Sequence, residues 1–477
     1  MQIQSFRLKN IGQFQDLSVS LAPTQQVSSN ITVFIGNNGS GKTSLLKSAT
    51  TALTWFVARL KSDKSNGTPI PEHVISNGAN SASIEICVQN TNPQHQLQFY
   101  NWRIVRSRSA RKTDLTSNLT ELTQLTNRYK QSLTDDEKSN LPLIAFYPVE
   151  RSVIEIPLKI REKHQFLQID GYDNALNNAV DFRRFFEWFR EREDVENEFI
   201  SNQASNINKI LAQELEVLES LTKREFTKNK SETISLQNKL TSLINSIKFK
   251  DNKAELATDA QLQAVRNAIY AFIPEFSNLR VKRKPRLHMS VDKNGKPLNV
   301  TQLSQGEKSL MALVGDIARR LAMMNPNLEN PLHGKGIILI DEIDMHLHPQ
   351  WQRTIIHRLQ TTFPNCQFIL TTHSPLVISD VQDILVYDLE DQKITALPSL
   401  YGQDANTVLL QYMDTSYRNS VVTEQITQAM DAIQNNNLDK AQQLINDLKS
   451  TVGENQLDVM RLIAMLKKRS LVIKQGL

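Results

Sequence analysis

The residues Gly36, Asn37, Asn38, Gly39, Ser40, Gly41, Lys42 and Thr43 fill every position of the pattern G-x-x-x-x-G-K-[ST]. Chemistry at such a loop depends on its backbone: successive N–H groups turn inward on phosphate oxygens, and the lysine reaches the β- and γ-phosphates. The Thr43 hydroxyl is placed to hold Mg²⁺, and Ser44 opens the next element. A second pair with chemical potential is Asp341 and Glu342, which end the apolar run Gly336–Ile340. Asp341 suits a cation held against phosphates, and Glu342 suits an attacking water that must be oriented or deprotonated. A strand-end acid pair alone reads equally well as a cap or a salt bridge. Together with the phosphate loop it predicts ATP and Mg²⁺ as ligands.

Three further segments carry polar groups at telling positions. Ser304, Gln305, Gly306 and Glu307 precede a helical pattern and offer a second anion site, separate from the first. Read alone they are a helix cap with an acid in the first turn. Asp344-Met-His346-Leu-His348-Pro349 and Thr371-Thr372-His373-Ser374-Pro375 follow the acid pair. His346 and His348 beside Asp344 could be taken as metal ligands, but no further acid or cysteine stands nearby to complete a set.

These residues need elements to hold them. Ile31–Ile35 is a β-branched and aromatic run that reads as a buried strand, and Ser44–Leu53 reads as a helix. Strand, glycine loop, then helix is the order in which the helix dipole adds to the loop N–H groups. Upstream, Ile3–Leu8 and Leu17–Leu21 are strand-like; downstream, 83–88, 96–105 and 141–147 are too. The stretch 107–140 is polar and reads as a loop or an exposed helix. From 180 to 273 the chain turns into charged, helical sequence. Ile207, Leu211, Leu215 and Leu218 form one apolar stripe, and Leu236, Leu240, Leu243 and Ile247 form a coiled-coil-like seam. A packed helical subdomain and a short antiparallel hairpin fit these stripes equally. A hairpin is expected over 287–300, then helix 307–321, strand 336–340, helix 349–361 and strand 366–370. Such alternation implies a largely parallel, covered sheet. Past residue 400 the chain reads as helical, over 421–433, 438–448 and 457–472.

The expected organisation is therefore an α/β head in two lobes, residues 1–180 and 276–400, with a helical insertion at 181–275 and a helical C-terminal region at 401–477. The chain has 477 residues, 40% hydrophobic and 22% charged, which suits a globular protein. No apolar run is long enough to span a membrane, and no secretory leader pattern opens the chain. Cys87 and Cys366 match no metal or redox spacing, which favours a reduced, cytoplasmic setting. The net charge of +5 is small. Two basic runs could touch DNA: Arg103, Arg106, Arg108, Arg111 and Lys112, and Arg280, Lys282, Arg283, Lys284 and Arg286. Solvated edge strands carry such runs as well.

Leu303-Ser-Gln-Gly-Glu307 ahead of the acid pair resembles the signature motif of ABC-type ATPases. The Asp344 segment resembles the D-loop with the His-Leu-His-Pro extension of SMC-like and RecF-like ATPases, and the His373 segment resembles their switch loop. Segments 141–151, 185–189, 316–321 and 349–353, and the tail opening at Tyr401, resemble the ATPase of the Septu antiviral system, the PtuA-like family that also accompanies some retrons. That resemblance implies an ABC-type head that pairs with a second copy across ATP. Residues 36–44 of one copy and 304–307 of the other would bracket the nucleotide, with Asp344 beside it and His373 on the γ-phosphate. It also implies a separate HNH nuclease as partner. The signature departs from Leu-Ser-Gly-Gly-Gln, and the Q-loop glutamine is open among Gln165, Gln168, Glu150 and Arg151. A transporter ATPase and an ATPase–nuclease fusion fit less well: the insertion is too long for the first, and the acids Asp380, Asp383, Asp388, Glu390 and Asp391 form no second cluster for the other. A DNA-repair or DNA-organising ATPase is the main competitor.

Overall fold

The computed structural model describes residues 1–91, 96–109, 111, 115–149, 166–177, 182–224, 259–413 and 419–474. Its strands are β1 (Gln2–Ile11), β2 (Phe14–Ser20), β3 (Ile31–Ile35), β4 (Ser81–Thr91), β5 (Leu97–Ser107) and β6 (Leu143–Tyr147). They continue with β7 (Phe276–Lys282), β8 (His288–Lys293), β9 (Lys296–Asn299), β10 (Gly336–Ile340), β11 (Cys366–Thr371), β12 (Leu385–Glu390) and β13 (Lys393–Ala396). The helices are α1 (Lys42–Lys61), α2 (Thr120–Asp135), α3 (Phe182–Arg224), α4 (Ala260–Phe272), α5 (Gln305–Met324), α6 (Pro349–Thr362) and α7 (Pro375–Ser379). Four more close the described chain: α8 (Ala405–Tyr412), α9 (Ser420–Gln434), α10 (Leu438–Val452) and α11 (Leu457–Lys474).

The central sheet has the order β13-β12-β3-β11-β10-β6, parallel except for the β12–β13 pair. β3, β6, β10 and β11 are buried along their whole length, as sheets covered on both faces require. That is why they read as continuous apolar runs. β3 and β10 flank β11, so the phosphate loop after β3 and the acid pair after β10 emerge at the same, C-terminal edge. An antiparallel sheet, β2-β1-β4-β5, alternates buried and open positions and leans on α1, where Trp102 Nε1 donates to the Ala52 carbonyl at 3.2 Å. Gln367, fully buried on β11, joins the two sheets. Its amide donates to the carbonyls of Ile3 and Ala22 and accepts the Ile3 N–H, each at 2.8 Å.

The polar stretch around 107–140 resolves into helix α2, which buries Leu122 and Leu125 on an otherwise polar surface. β7 and β13 had no counterpart among the expected elements. α3 starts with Phe182, Phe185, Phe186, Trp188 and Phe189, all buried. The stripe from Ile207 to Leu218 lies within α3, and the seam from Leu236 to Ile247 lies outside the described residues. Two compact units divide at Gly402. In the second, α9, α10 and α11 pack around Ala429, Ile433, Ala441, Ile445, Leu448, Val459 and Leu462. Among the described residues no helix is long and apolar enough to cross a membrane. Cys366 is buried, which pushes its thiol up to about 12, and Cys87 is half-buried, its thiol also raised by burial.

Candidate nucleotide site

The loop between β3 and α1 owes its path to its glycines. Gly36 and Gly41 have φ of +140° and +98°, values that side chains resist. A Cβ at Gly36 would lie 2.4 Å from the Leu389 carbonyl, and one at Gly41 would lie 2.5 Å from the Phe14 ring. The turn before β2 therefore roofs the loop, with Gln13 donating to the Ser40 carbonyl. Ser40 Oγ is buried without a hydrogen-bond partner. A buried hydroxyl left in that state costs free energy unless another polar group meets it. Lys42 Nζ donates to the carbonyls of Gly36 at 2.8 Å and Asn37 at 3.0 Å, so the ammonium is folded back over the loop. Burial lowers its pKa below the ordinary lysine value, against the pull of Glu342, Asp341, Asp344 and Asp388. An orphaned hydroxyl and a cationic head are donors a polyphosphate accepts from.

The acid pair follows β10 directly. Asp341 is fully buried; its N–H donates to the Tyr147 carbonyl at 2.9 Å, and its Oδ2 accepts from Thr43 Oγ1 at 2.7 Å. Thr43 and Asp341 thus meet across 298 positions of sequence, a hard oxygen pair of the kind Mg²⁺ takes. Glu342 has φ of +46° and is partly open. Its Oε1 lies 3.8 Å from His373 Nε2. Burial and Lys42 lower the His373 pKa, against Glu342, Asp344 and Asp341. Asp344 Oδ1 accepts from Thr372 Oγ1 and, at 3.4 Å, from the His373 N–H. The D-loop and the switch loop are therefore tied together within one chain.

Ser304, Gln305 and Gly306 lie at the start of α5. Ser304 Oγ accepts the Glu307 N–H at 3.3 Å while Glu307 Oε2 accepts the Ser304 N–H at 2.9 Å, a reciprocal capping box. Lys293 Nζ pairs with Glu307 at 2.6 Å. Burial favours the neutral acid, but Lys293 and Ser304 outweigh it and hold Glu307 below its usual value. A Cβ at Gly306 would lie 2.5 Å from the His346 carbonyl, so the D-loop packs directly on this turn. His348 Nδ1 accepts the Gln350 N–H at 3.3 Å as a helix cap, and no three-residue metal cluster occurs among the described residues. Gln168 donates to the carbonyls of Ser139 and Met324, at the far end of α5 from Ser304. Glu150, Arg151 and Gln165 lie outside the described residues.

A family model described as an AAA ATPase domain matches residues 1–378. The chain is 35% identical over 428 residues to the Retron Ec83 probable ATPase of Escherichia coli, covering 88% of this chain and 77% of that one. It is 44% identical over 81 residues to the Septu protein PtuA of Bacillus mycoides, 17% of this chain and 11% of that one. The chain belongs to the AAA ATPases, alongside the retron probable ATPases. Among solved structures it is similar to the Smc head domain of Pyrococcus furiosus, at 16% identity and a TM-score of 0.38, over 83% of this chain and 96% of that one.

This ATPase also uses residues that sequence reasoning passed over. Gln352 Nε2 donates to the Leu347 carbonyl at 3.0 Å and its Oε1 accepts from Ser374 Oγ at 2.8 Å, bracing D-loop against switch loop. Asp316, fully buried on α5, binds Arg319 at 2.7 Å, Arg320 at 2.6 Å and Tyr147 Oη at 3.0 Å. Burial opposes its charge, but Arg320 and Arg319 bring the carboxyl down to about 2. Only the adjacency of Gln352 and Asp316 to the motifs hinted at these roles. The two basic runs differ. Arg103 pairs with Glu85 at 3.1 Å, and the Arg108 guanidinium donates to the carbonyls of Ile75, Ser76 and Ala79. In the other run Arg283 pairs with Asp194, while Lys282, Lys284 and Arg286 are exposed and have no ion pair among the described residues.

Proposed function

We propose that this ATPase binds and hydrolyses ATP as one subunit of an antiphage defence complex. The observation that carries this reading is the convergence of Lys42, Thr43, Asp341, Glu342 and His373 at one edge of the central sheet. On ATP binding, Lys42 exchanges its loop carbonyls for the β- and γ-phosphates, and Ser40 Oγ gains the partner it lacks. Thr43 and Asp341 would hold Mg²⁺, which when bound neutralises charge shared by the β- and γ-oxygens. Glu342 orients and deprotonates the attacking water, and His373, neutral by virtue of its lowered pKa, donates a hydrogen bond to the γ-phosphate. Ser304, Gln305 and Gly306 of a second copy close the site, so each ATP joins two heads. Ordering a second head around one nucleotide lets occupancy set the assembly state.

The assembly in turn restrains or licenses a separate HNH nuclease, as the family resemblance implies. The surface carrying Lys282, Lys284 and Arg286 is the one to face DNA, because its charges are not spent within the fold. Purified chain with ATP and Mg²⁺ should run as a larger species in size-exclusion chromatography, and should co-elute with an HNH protein encoded beside it. Nuclease activity that is the same with and without ATP would overturn the regulatory part of this reading. A neighbouring repair operon in place of an HNH gene would favour a DNA-organising ATPase.

A further inference from the structure

Thr371 ends β11, the strand between the phosphate-loop strand β3 and the acid-bearing strand β10. It is fully buried, and its hydroxyl and its carbonyl both go to the acid pair or its successor. Oγ1 donates to Asp341 Oδ1 at 2.6 Å and accepts the Glu342 N–H at 2.7 Å. The Thr371 carbonyl accepts the Ile343 N–H at 3.0 Å. Asp341 is thus gripped on both oxygens by hydroxyls, Thr371 on Oδ1 and Thr43 on Oδ2. Hydroxyl donors to a carboxylate are charge-assisted and short, and a carboxylate so held still has a lone pair on each oxygen for a cation. Glu342 sits at φ +46°, a left-handed backbone that non-glycine residues resist. Such a backbone persists where its surroundings over-determine it, and here the peptide groups on both sides of Glu342 are bonded to Thr371.

We infer that Thr371 is a positioning residue that sets the cation-holding acid and the water-activating acid with one hydroxyl. This rests on the roles proposed above for Asp341 and Glu342. It also assigns to the residue two places before His373 a duty distinct from that of the switch histidine. Loss of the hydroxyl would free Asp341 Oδ1 to rotate and leave a buried Glu342 N–H without an acceptor, whereas packing would be kept by an isostere.

The test compares Thr371→Val with Thr371→Ser, using a fluorescent ATP analogue titrated with Mg²⁺, and with EDTA in place of Mg²⁺. Removing a partner that orients a metal-holding side chain typically weakens the metal by about 10–100-fold. Thr371→Val should raise the Mg²⁺ concentration for half-maximal binding by about tenfold or more, with Mg²⁺-free nucleotide binding unchanged. Thr371→Ser should stay close to the unsubstituted chain. Equal impairment of both, or a Val variant with the ordinary Mg²⁺ dependence, would overturn the inference. If Thr371→Val does not fold, Thr371→Ala, which lacks the hydroxyl without a branched methyl facing Asp341, takes its place against Ser. An unsubstituted chain whose nucleotide binding ignores Mg²⁺ would instead defeat the metal assignment to Thr43 and Asp341, whatever the variants do.

Discussion

The two halves of the nucleotide machinery are built in opposite ways. Around Asp341 the chain closes on itself: Thr43, Thr371 and Tyr147 come from three strand ends and each bonds Asp341, while Asp344 and His373 bond each other close by. Around Ser304 it does the reverse. The Ser304 hydroxyl and the Glu307 carboxylate each cap the other residue's N–H, Lys293 pairs with Glu307, and the turn is exposed at Ser304 and Gln305. The first half is a site within one chain. The second is a rigid donor surface, shaped beforehand for something brought to it. Under the proposed function, this division would let one chain bind nucleotide and make turnover depend on a second copy.

Four substitutions or titrations would break or sharpen that contrast. The largest effect belongs to Glu342→Gln. Turnover should fall by about 10²–10⁴, the range for loss of a general base, while ATP remains bound and the paired form accumulates; turnover and size-exclusion profiles read both. Next is Asp316→Asn, which strands Arg319 and Arg320, on the same helix α5, in the interior. Breaking a buried ion cluster costs about 3–5 kcal/mol, and denaturant unfolding should register it. Because the folded pKa is near 2 and the unfolded value near 3.9, the charge contribution is complete above pH 4 and disappears as pH falls through 2. Ser304→Ala should remove about 1 kcal/mol of capping and weaken ATP-driven pairing, with nucleotide affinity of the single chain unchanged. If single-chain affinity fell too, the halves would not be separable. The smallest effect concerns His373. Its proton should bind below the ordinary histidine value near 6.5, so ATP turnover should hold through that pH and decline only in more acidic solution. The unfolded chain binds that proton more readily, so His373 subtracts stability only as pH falls through the unfolded value.

The parts of the site visible in the sequence are those that a short window contains. Gly36–Thr43, Asp341–Glu342 and Thr372–Ser374 each carry their chemistry in adjacent residues, and β3 and β10 match the expected strands residue for residue. The role of Thr371 escaped because Asp341 and Glu342 lie about thirty positions before it and only the parallel register of β11 and β10 brings them together. Asp316 stood in a family-resembling segment without a role, since a lone acid gives no local sign that two arginines and a tyrosine will enclose it. β7 was hidden by its own basic side chains, and α2 by the polar residues that cover all but Leu122 and Leu125.

Gln367 has a consequence for where the phosphate-binding unit starts. Its side-chain amide does for Ile3 what a neighbouring strand would do, taking both the N–H and the carbonyl, and then reaches Ala22. Trimming the first strand would leave two Gln367 bonds unmet, beside the strand that carries the phosphate loop. Counted by hydrogen bonds and not by motif, the minimal nucleotide-binding fragment begins at Ile3, well ahead of Ile31. A fragment library or a split-protein design cut between those residues should therefore recover the motif without recovering the site.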